Sequence, residues 1–179
     1  MRPLRWLRNA LDALYLGTAV LGAACLACIG VLILAQIVGR WFGVIVPAAE
    51  EFGGFLMAAA TFLALAWTLR SGGHIRVNLL IRNFPPRLRK MQEVLVLLAA
   101  TALLARIAWA AIALVIESRE FEDVSAGYIA VPLWIPQLPM AAGLVILTVA
   151  LLDELVVLLA GRSPSYWQDE MKRTRGDSP

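Results

Sequence analysis

The chain has 179 residues, of which 60% are hydrophobic and only 16% charged, and its mean hydropathy is +0.75. So few polar residues cannot cover the surface of a water-soluble domain of this size. A soluble enzyme, a disordered chain and a disulfide-stapled secreted scaffold are therefore excluded. The apolar residues instead occur in blocks long enough to span a bilayer, which takes about 20 residues of helix.

Four such blocks follow one another along the chain. They predict membrane spans at about 13–39, 52–69, 94–116 and 136–159. The third block contains one charge, Arg106, and the fourth helix is expected to begin near Pro136 because prolines interrupt the residues before it. The sequence predicts an all-α integral membrane protein with four transmembrane helices, comprising a single membrane domain, 1–162, and a polar cytoplasmic tail, 163–179.

Basic residues are unevenly distributed between the two sides of these spans. The N-terminal segment, the middle loop and the tail hold 13 of the 16 lysines and arginines, whereas the two short loops hold Arg40 and Arg119. The positive-inside rule therefore predicts that both termini and the middle loop are cytoplasmic. The formal net charge of +3 reflects this topology and gives no reason to expect a nucleic-acid partner.

The loop between the second and third spans predicts an amphipathic elbow on the cytoplasmic face. Residues 75–93 mix apolar side chains with basic ones, including Arg87, Arg89 and Lys90, and are interrupted by Pro85-Pro86. Segments of this kind lie in the membrane interface and meet anionic lipid headgroups. Residues 2–14 have a similar pattern and predict a shorter interfacial helix before the first span.

The cysteines and the histidine of this chain do not favour a redox, metal-binding or proton-transfer role. Cys25 and Cys28 form a C-x-x-C pair in the middle of the first span, where apolar surroundings disfavour the thiolate, so buried packing is favoured over a redox or metal role. His74 is the single histidine, which excludes a bis-histidine haem within one chain, and a structural role is favoured over proton transfer. We expect no catalytic residue, no metal site and no cofactor.

Arg106 is the most unusual residue of the sequence because it lies near the middle of a span. An arginine there costs at least about 2.5 kcal/mol unless it is paired or hydrated, so it should face protein. One interpretation is a contact with a substrate or ion. The favoured interpretation is an interhelical tie, either to Gln36 or to an acidic group on a partner. Trp109, in the same span, is expected to pack inside the bundle.

Two acidic residues, Glu50 and Glu51, precede the second span. One explanation is favourable placement at a helix N-terminus, where free N–H groups stabilise a carboxylate, with Arg40 as a possible surface partner. The alternative is a docking contact with another protein.

The order of these features resembles the four-helix small-permease (Q-type) subunit of TRAP transporters, the tripartite ATP-independent periplasmic uptake systems. The resemblance covers residues 11–161, and its most specific part is Glu50-Glu51, an apolar span and then Gly73-His74-Ile75-Arg76-Val77-Asn78. A weaker match is Val131-Pro132-Leu133-Trp134 followed by Ile135-Pro136. Family members more often have Asp where this chain has Asn78, so no role that requires a carboxylate is carried over to that position.

The resemblance implies a function as well as a fold. The chain would support a large permease, which carries the substrate and sodium sites, in sodium-coupled uptake of an organic acid such as a dicarboxylate. A periplasmic substrate-binding protein would deliver that substrate, and the complex would lie in a bacterial or archaeal inner membrane. The candidate structural, partner or lipid contacts are Glu50, Glu51, His74, Arg76, Asn78, Arg87, Arg89, Lys90 and Arg106.

The residues alone leave two redox alternatives open. A four-helix thiol–quinone oxidoreductase would require reactive thiols at Cys25 and Cys28, and the membrane anchor of a respiratory complex would show bound haem. A small multidrug exporter is disfavoured, because it would need an acid inside its first spans, and these have none.

Overall fold

The computed structural model describes residues 2–71 and 85–160. This part of the chain forms four helices: α1 (Arg2–Trp41), α2 (Ala49–Arg70), α3 (Pro86–Glu120) and α4 (Trp134–Leu159). Each contains a stretch that is long and apolar enough to cross a membrane, and no β-strand occurs within the described ranges. The prediction of an all-α protein with four membrane helices is confirmed.

All four helices extend beyond their predicted spans, and the differences are largest for α1 and α3. The first is continuous over 40 residues, so residues 2–14 are part of α1 and do not form a separate interfacial helix. At 1.5 Å per residue α1 is about 60 Å long, roughly twice the thickness of a bilayer core. The third helix begins at Pro86 after the N-cap Pro85, because proline is well tolerated in the first turn of a helix. Residues 86–93 of the predicted elbow therefore belong to α3, and 72–84 lie outside the described residues.

The helices do not pack in the order in which they occur along the chain. The extensive contacts join α1 to α2, α2 to α4, and α4 to α3, so α4 lies between α2 and α3. The start of α1, the end of α2, the start of α3 and the end of α4 share one end of the bundle, here named the termini side. The opposite end, named the loop side, carries the connections 42–48 and 121–133.

Apolar side chains fill the interior of the bundle in two clusters. The larger, toward the termini side, contains residues of all four helices, among them Tyr15, Ala66, Leu97 and Leu151. The smaller, toward the loop side, joins α3 and α4 through Ala108, Ala111, Ala141 and Leu144. Leucine and alanine supply most of this packing, which is typical of helices that approach closely in a membrane.

The closest approach between helices is at Gly143 of α4. A Cβ atom added at this position would lie 2.9 Å from the Cβ of Phe62 and would contact the Phe62 carbonyl group even more closely. Gly143 itself is buried. The absence of a side chain here is what allows α4 to lie against the backbone of α2.

The connection between α3 and α4 is a compact hairpin. Its backbone is held by hydrogen bonds that Ser125 N–H donates to the Val131 carbonyl, at 2.8 Å, and Leu133 N–H donates to the Asp123 carbonyl, at 2.9 Å. The Ser125 hydroxyl adds a bond to the Ile129 carbonyl at 3.2 Å. These bonds fix the position of the hairpin tip, which includes Gly127.

Candidate functional site

The two acidic residues of α2 have different environments on the loop side. Both lie in the first turn of the helix, which follows Ala48 in the left-handed backbone conformation. Glu50 is exposed, whereas Glu51 is half-buried. The Oε2 atom of Glu51 is buried and has no hydrogen-bond partner within residues 2–71 and 85–160. No ion pair joins either residue to Arg40 in the described part of the chain. Both carboxylates lie in the first turn of α2, where the helix dipole favours a negative charge.

The side chain of Glu51 lies directly against Gly127 at the tip of the α3–α4 hairpin. A Cβ atom at position 127 would overlap the Glu51 carboxyl group. The contact therefore joins the start of α2 to the hairpin, and it depends on the absence of a side chain at Gly127. A feature of this kind is not visible in the sequence, where the two residues are 76 positions apart.

This contact leads to a prediction for the substitution Gly127→Ala. The added methyl group must displace Glu51, so the free energy of unfolding should fall by about 1 kcal/mol, the typical effect of a point substitution. Gly53→Ala is the matched control, because a Cβ there meets nothing within 4 Å and alanine favours helix. Unfolding in mild detergent measures both. If Glu51 is the obstacle, Gly127→Ala should lower the free energy of unfolding less in a Glu51→Ala background than in the wild type. An equal loss in both backgrounds contradicts this account.

Most of the predicted candidates around the elbow cannot be placed. His74, Arg76 and Asn78 lie outside the described residues. Arg87 and Arg89 lie in the first turn of α3, but their side chains are outside the described part of the structure. Lys90 is exposed on the same helix. The proposal of a basic surface at the start of α3 therefore stays a prediction.

Two side chains of the apolar spans do not have the predicted environment. Trp109 was expected inside the bundle but is 70% exposed. The cysteines were expected to be buried, but Cys25 is half-buried and Cys28 is exposed. All three predictions relied on the position of the residue within a span, which does not determine whether a membrane helix turns it toward protein or toward lipid.

Arg106 does not contact Gln36, one of its two expected partners. It is exposed on α3, and among the described residues it forms no hydrogen bond or ion pair with Gln36 or with any other group. The predicted tie to Gln36 is therefore wrong. An acidic group on a partner protein remains the other predicted possibility.

An ionic interaction that joins three helices was not predicted. On the termini side, the guanidinium group of Arg70, in the last turn of α2, is bound by two carboxylates from other helices. Its Nη2 atom lies 2.8 Å from Oδ1 of Asp12 in α1, and its Nη1 atom donates to Oδ2 of Asp153 in α4 at 3.3 Å. The Arg70 side chain is only 13% exposed. We name these three residues the Arg70 network, and they join three of the four helices.

A buried aromatic side chain completes this end of the bundle. The Arg70 guanidinium carbon lies 5.3 Å from the ring centroid of Tyr15, within the range of a cation–π contact. Tyr15 is fully buried, and its hydroxyl has no hydrogen-bond partner among the residues that the structure describes. Glu154, next to Asp153, is also buried at 1% exposure and interacts electrostatically with Tyr15. Ionic groups and aromatic packing thus combine at the point where α1, α2 and α4 meet.

The sequence contained a signal for the Arg70 network. Asp12, Arg70 and Asp153 each mark the end of an uncharged stretch, and the alternating direction of the helices brings these ends to the same side. In the sequence the three charges define span limits, and their pairing depends on which span ends lie on the same side of the membrane. Opposite charges at matching span ends indicate such an interaction.

The described residues offer no group suited to bind a metal. No cluster of three or more His, Cys, Asp or Glu side chains occurs within 2–71 and 85–160. A small open cleft on the loop side has a volume of about 200 Å³ and is lined by Gln36, Arg40 and residues 43–46. This volume is below the range usual for small-molecule pockets, about 300–1,000 Å³.

The fold and these interactions define a multi-pass helical membrane protein with an apolar interior and ionic groups that join its helices. The sequence model of the family described as "Tripartite ATP-independent periplasmic transporters, DctQ component" matches residues 29–161. The chain therefore belongs to this family, whose members are the small membrane subunits of TRAP transporters. No curated protein matches the sequence.

The family assignment confirms the resemblance and defines the setting of the chain. TRAP systems operate with a large permease, DctM, and a substrate-binding protein, and the four apolar helices imply a multi-pass protein of the inner membrane. The family is one of transporter components, which disfavours the redox alternatives. Within the Arg70 network, Arg70 and Asp153 fall inside the matched region and Asp12 precedes it.

Proposed function

We propose that this chain is a scaffold subunit that supports the large permease in sodium-coupled, binding-protein-dependent uptake of an organic acid such as a dicarboxylate. The observation that carries the scaffold role is the Arg70 network, which ties α1, α2 and α4 together around an interior filled with apolar side chains. Such a bundle moves as one body. It would widen the anchored part of the transporter and hold it level in the bilayer, while the large permease binds substrate and sodium. We further propose that the chain itself catalyses no reaction.

The proposed orientation has the termini side in the cytoplasm. It is supported by the distribution of basic residues, 13 of 16 of which occur in segments next to that side. The loop side, with Glu50, Glu51 and the α3–α4 hairpin, would then face the periplasm. Residues 1–162 would form one membrane domain and 163–179 a cytoplasmic tail.

The test of this function is purification of a tagged chain from native membranes in mild detergent, combined with uptake measurements. We expect a large polytopic permease to copurify. Deletion of the chain should abolish sodium-dependent uptake of at least one organic acid, and the wild-type copy should restore it. Copurification of a flavoprotein or a haem protein in place of a permease, or uptake unaffected by the deletion, would refute the proposal.

The basic residues at the start of α3 are proposed to bind anionic lipid headgroups. Reversing the charges of Arg87, Arg89 and Lys90 to glutamate should lower complex yield or uptake, since each basic residue near an anionic surface contributes about 1 kcal/mol. Ten basic residues would remain on that side, from 13 minus 3, so the topology should persist. The matched control replaces Arg87 and Arg89 with lysine, which keeps the charge. Unchanged yield and transport in the glutamate variant would count against lipid binding.

A further inference from the structure

The packing of α3 divides the helix into a protein-facing side and an outward side. Leu97, Thr101, Ala108 and Ala111 are buried and recur every three or four residues, so they form one stripe that faces the bundle. Arg106 is nine residues from Leu97, and at 100° per residue this places it about 180° away. The single charge of the third span therefore points away from the other described helices.

Arg106 is exposed on α3, but it lies at the depth of the bilayer core and not on a surface that faces water. The uncharged stretches on either side of Arg106 extend from Val94 to Ile116, and their midpoint is residue 105, next to Arg106. With a bilayer core about 30 Å thick, the backbone of Arg106 is about 15 Å from either interface, farther than its side chain can extend. Hydrocarbon offers no counter-charge and no hydrogen-bond acceptor. The outward side of α3 therefore requires a covering that lipid does not supply.

The surroundings of Arg106 are suited to another helix. Alanines occur four and seven residues before it and four and seven residues after it, on the same side of α3, and all four are exposed: Ala99, Ala102, Ala110 and Ala113. Small residues at this spacing allow a second helix to approach closely. Leu103 and Trp109, 63% and 70% exposed, flank the alanines. We name Ala99, Ala102, Arg106, Ala110 and Ala113 the Arg106 face.

A second copy of this chain does not fit the Arg106 face. A two-fold dimer through this face would bring two Arg106 side chains together near the axis, and like charges in an interface are strongly unfavourable. A head-to-tail contact would need a carboxylate at the same depth. The uncharged stretches 13–39, 52–69 and 124–152 have no acidic residue, so another copy offers none.

We propose that the Arg106 face binds a transmembrane helix of the large permease, and that this helix presents an Asp or Glu carboxylate to Arg106 near the middle of the bilayer. The proposal rests on the proposed function, which supplies the permease as a partner. The apolar environment strengthens such a pair, and an arginine paired with a carboxylate forms charge-assisted hydrogen bonds. Helix α3 would thus have two interfaces on opposite sides. One packs against its own bundle and the other against the permease.

The test compares three variants at this position in membranes that contain the permease. Arg106→Glu should lower the amount of copurified permease by about tenfold or more, because like charges would meet in the interface. Arg106→Leu should lower it to an intermediate extent, and Arg106→Lys should retain most of it. In the absence of the permease Arg106→Leu should be at least as stable as the wild type, since the unpaired charge is removed. That result separates loss of binding from failure to fold.

Cross-linking locates the contact independently of the charge. In a chain with Cys25 and Cys28 replaced by alanine, a single cysteine at Ala102 or Ala110 should cross-link to the permease. A cysteine at Ala108, on the buried stripe of the same helix, is the matched control and should not. A substitution of a permease Asp or Glu by lysine that restores binding of Arg106→Glu would identify the carboxylate.

The outcomes distinguish this proposal from the proposed function. If the wild-type chain recovers no permease, the proposed function fails. If the wild-type chain recovers the permease and Arg106→Glu and Arg106→Leu recover it equally well, the Arg106 face is not the docking surface. Absence of cross-links from both Ala102 and Ala110 positions would lead to the same conclusion.

Discussion

Replacing Arg70 with glutamine is expected to lower the free energy of unfolding by about 2–3 kcal/mol, near the lower end of the range for removing one partner of a buried ion pair. The substitution leaves the carboxylates of Asp12 and Asp153 close together without a cation. Asp12 is 48% exposed and Asp153 23%, so water relieves part of this cost and the upper end of the range is not expected. Unfolding of the purified chain in mild detergent measures the loss.

Two further variants decide whether the loss comes from the network. Adding Asp12→Asn and Asp153→Asn to Arg70→Gln removes all three charges, and most of the stability should return because no unpaired charge remains. Lys90→Gln removes an exposed cation of α3 and should change stability by less than about 0.5 kcal/mol. If Arg70→Gln is as stable as Lys90→Gln, the Arg70 network does not hold the helices together.

Substituting Gly143 with alanine is expected to have an effect of similar size, for a steric reason. The added methyl group would overlap the backbone carbonyl of Phe62, and a backbone atom cannot turn aside as a flexible side chain can. Helices α2 and α4 must separate, and overpacking of this kind costs about 1–3 kcal/mol. The loss should appear in detergent unfolding and as weaker copurification of the permease, because the shape of the whole bundle changes.

The control for Gly143→Ala is Gly30→Ala in α1. A Cβ atom at Gly30 meets nothing within 4 Å, and alanine in a helix is favoured over glycine by about 1 kcal/mol. Gly30→Ala should therefore leave the chain as stable as the wild type or slightly more stable. Equal behaviour of the two variants would show that α2 and α4 do not pack as closely as the structure indicates.

The four spans could be predicted because uncharged stretches of about 20 residues have few alternatives to a membrane helix. The predicted limits of these spans agree less well with the observed ends of the helices. Asp12 ends the first uncharged stretch, but the residues before it, including Arg5 and Arg8, are compatible with a helix, so α1 continues through them. Similarly, Pro85-Pro86 was recognised as a break, but Pro86 begins α3 because its fixed backbone angle suits a first turn.

The interactions within the bundle could not be derived in the same way. Asp12 and Asp153 are 141 positions apart, and their common contact with Arg70 depends on which helices pack together. The charge at Arg106 was predicted to face protein, which follows from the cost of burying it in lipid. That cost does not specify which protein, and the structure places Arg106 on the side of α3 opposite its own chain.

The position of α4 between α2 and α3 also determines how the bundle is made. Synthesis proceeds from α1 to α4, so α1 and α2 can pair as a hairpin while the ribosome is still translating. Helix α3 enters the membrane before α4, the helix with which it makes its extensive contacts. Until α4 is inserted, the stripe of Leu97, Thr101, Ala108 and Ala111 lacks the helix with which α3 makes its extensive contacts. Helix α4 therefore completes the packing of the described helices, because it contacts both α2 and α3.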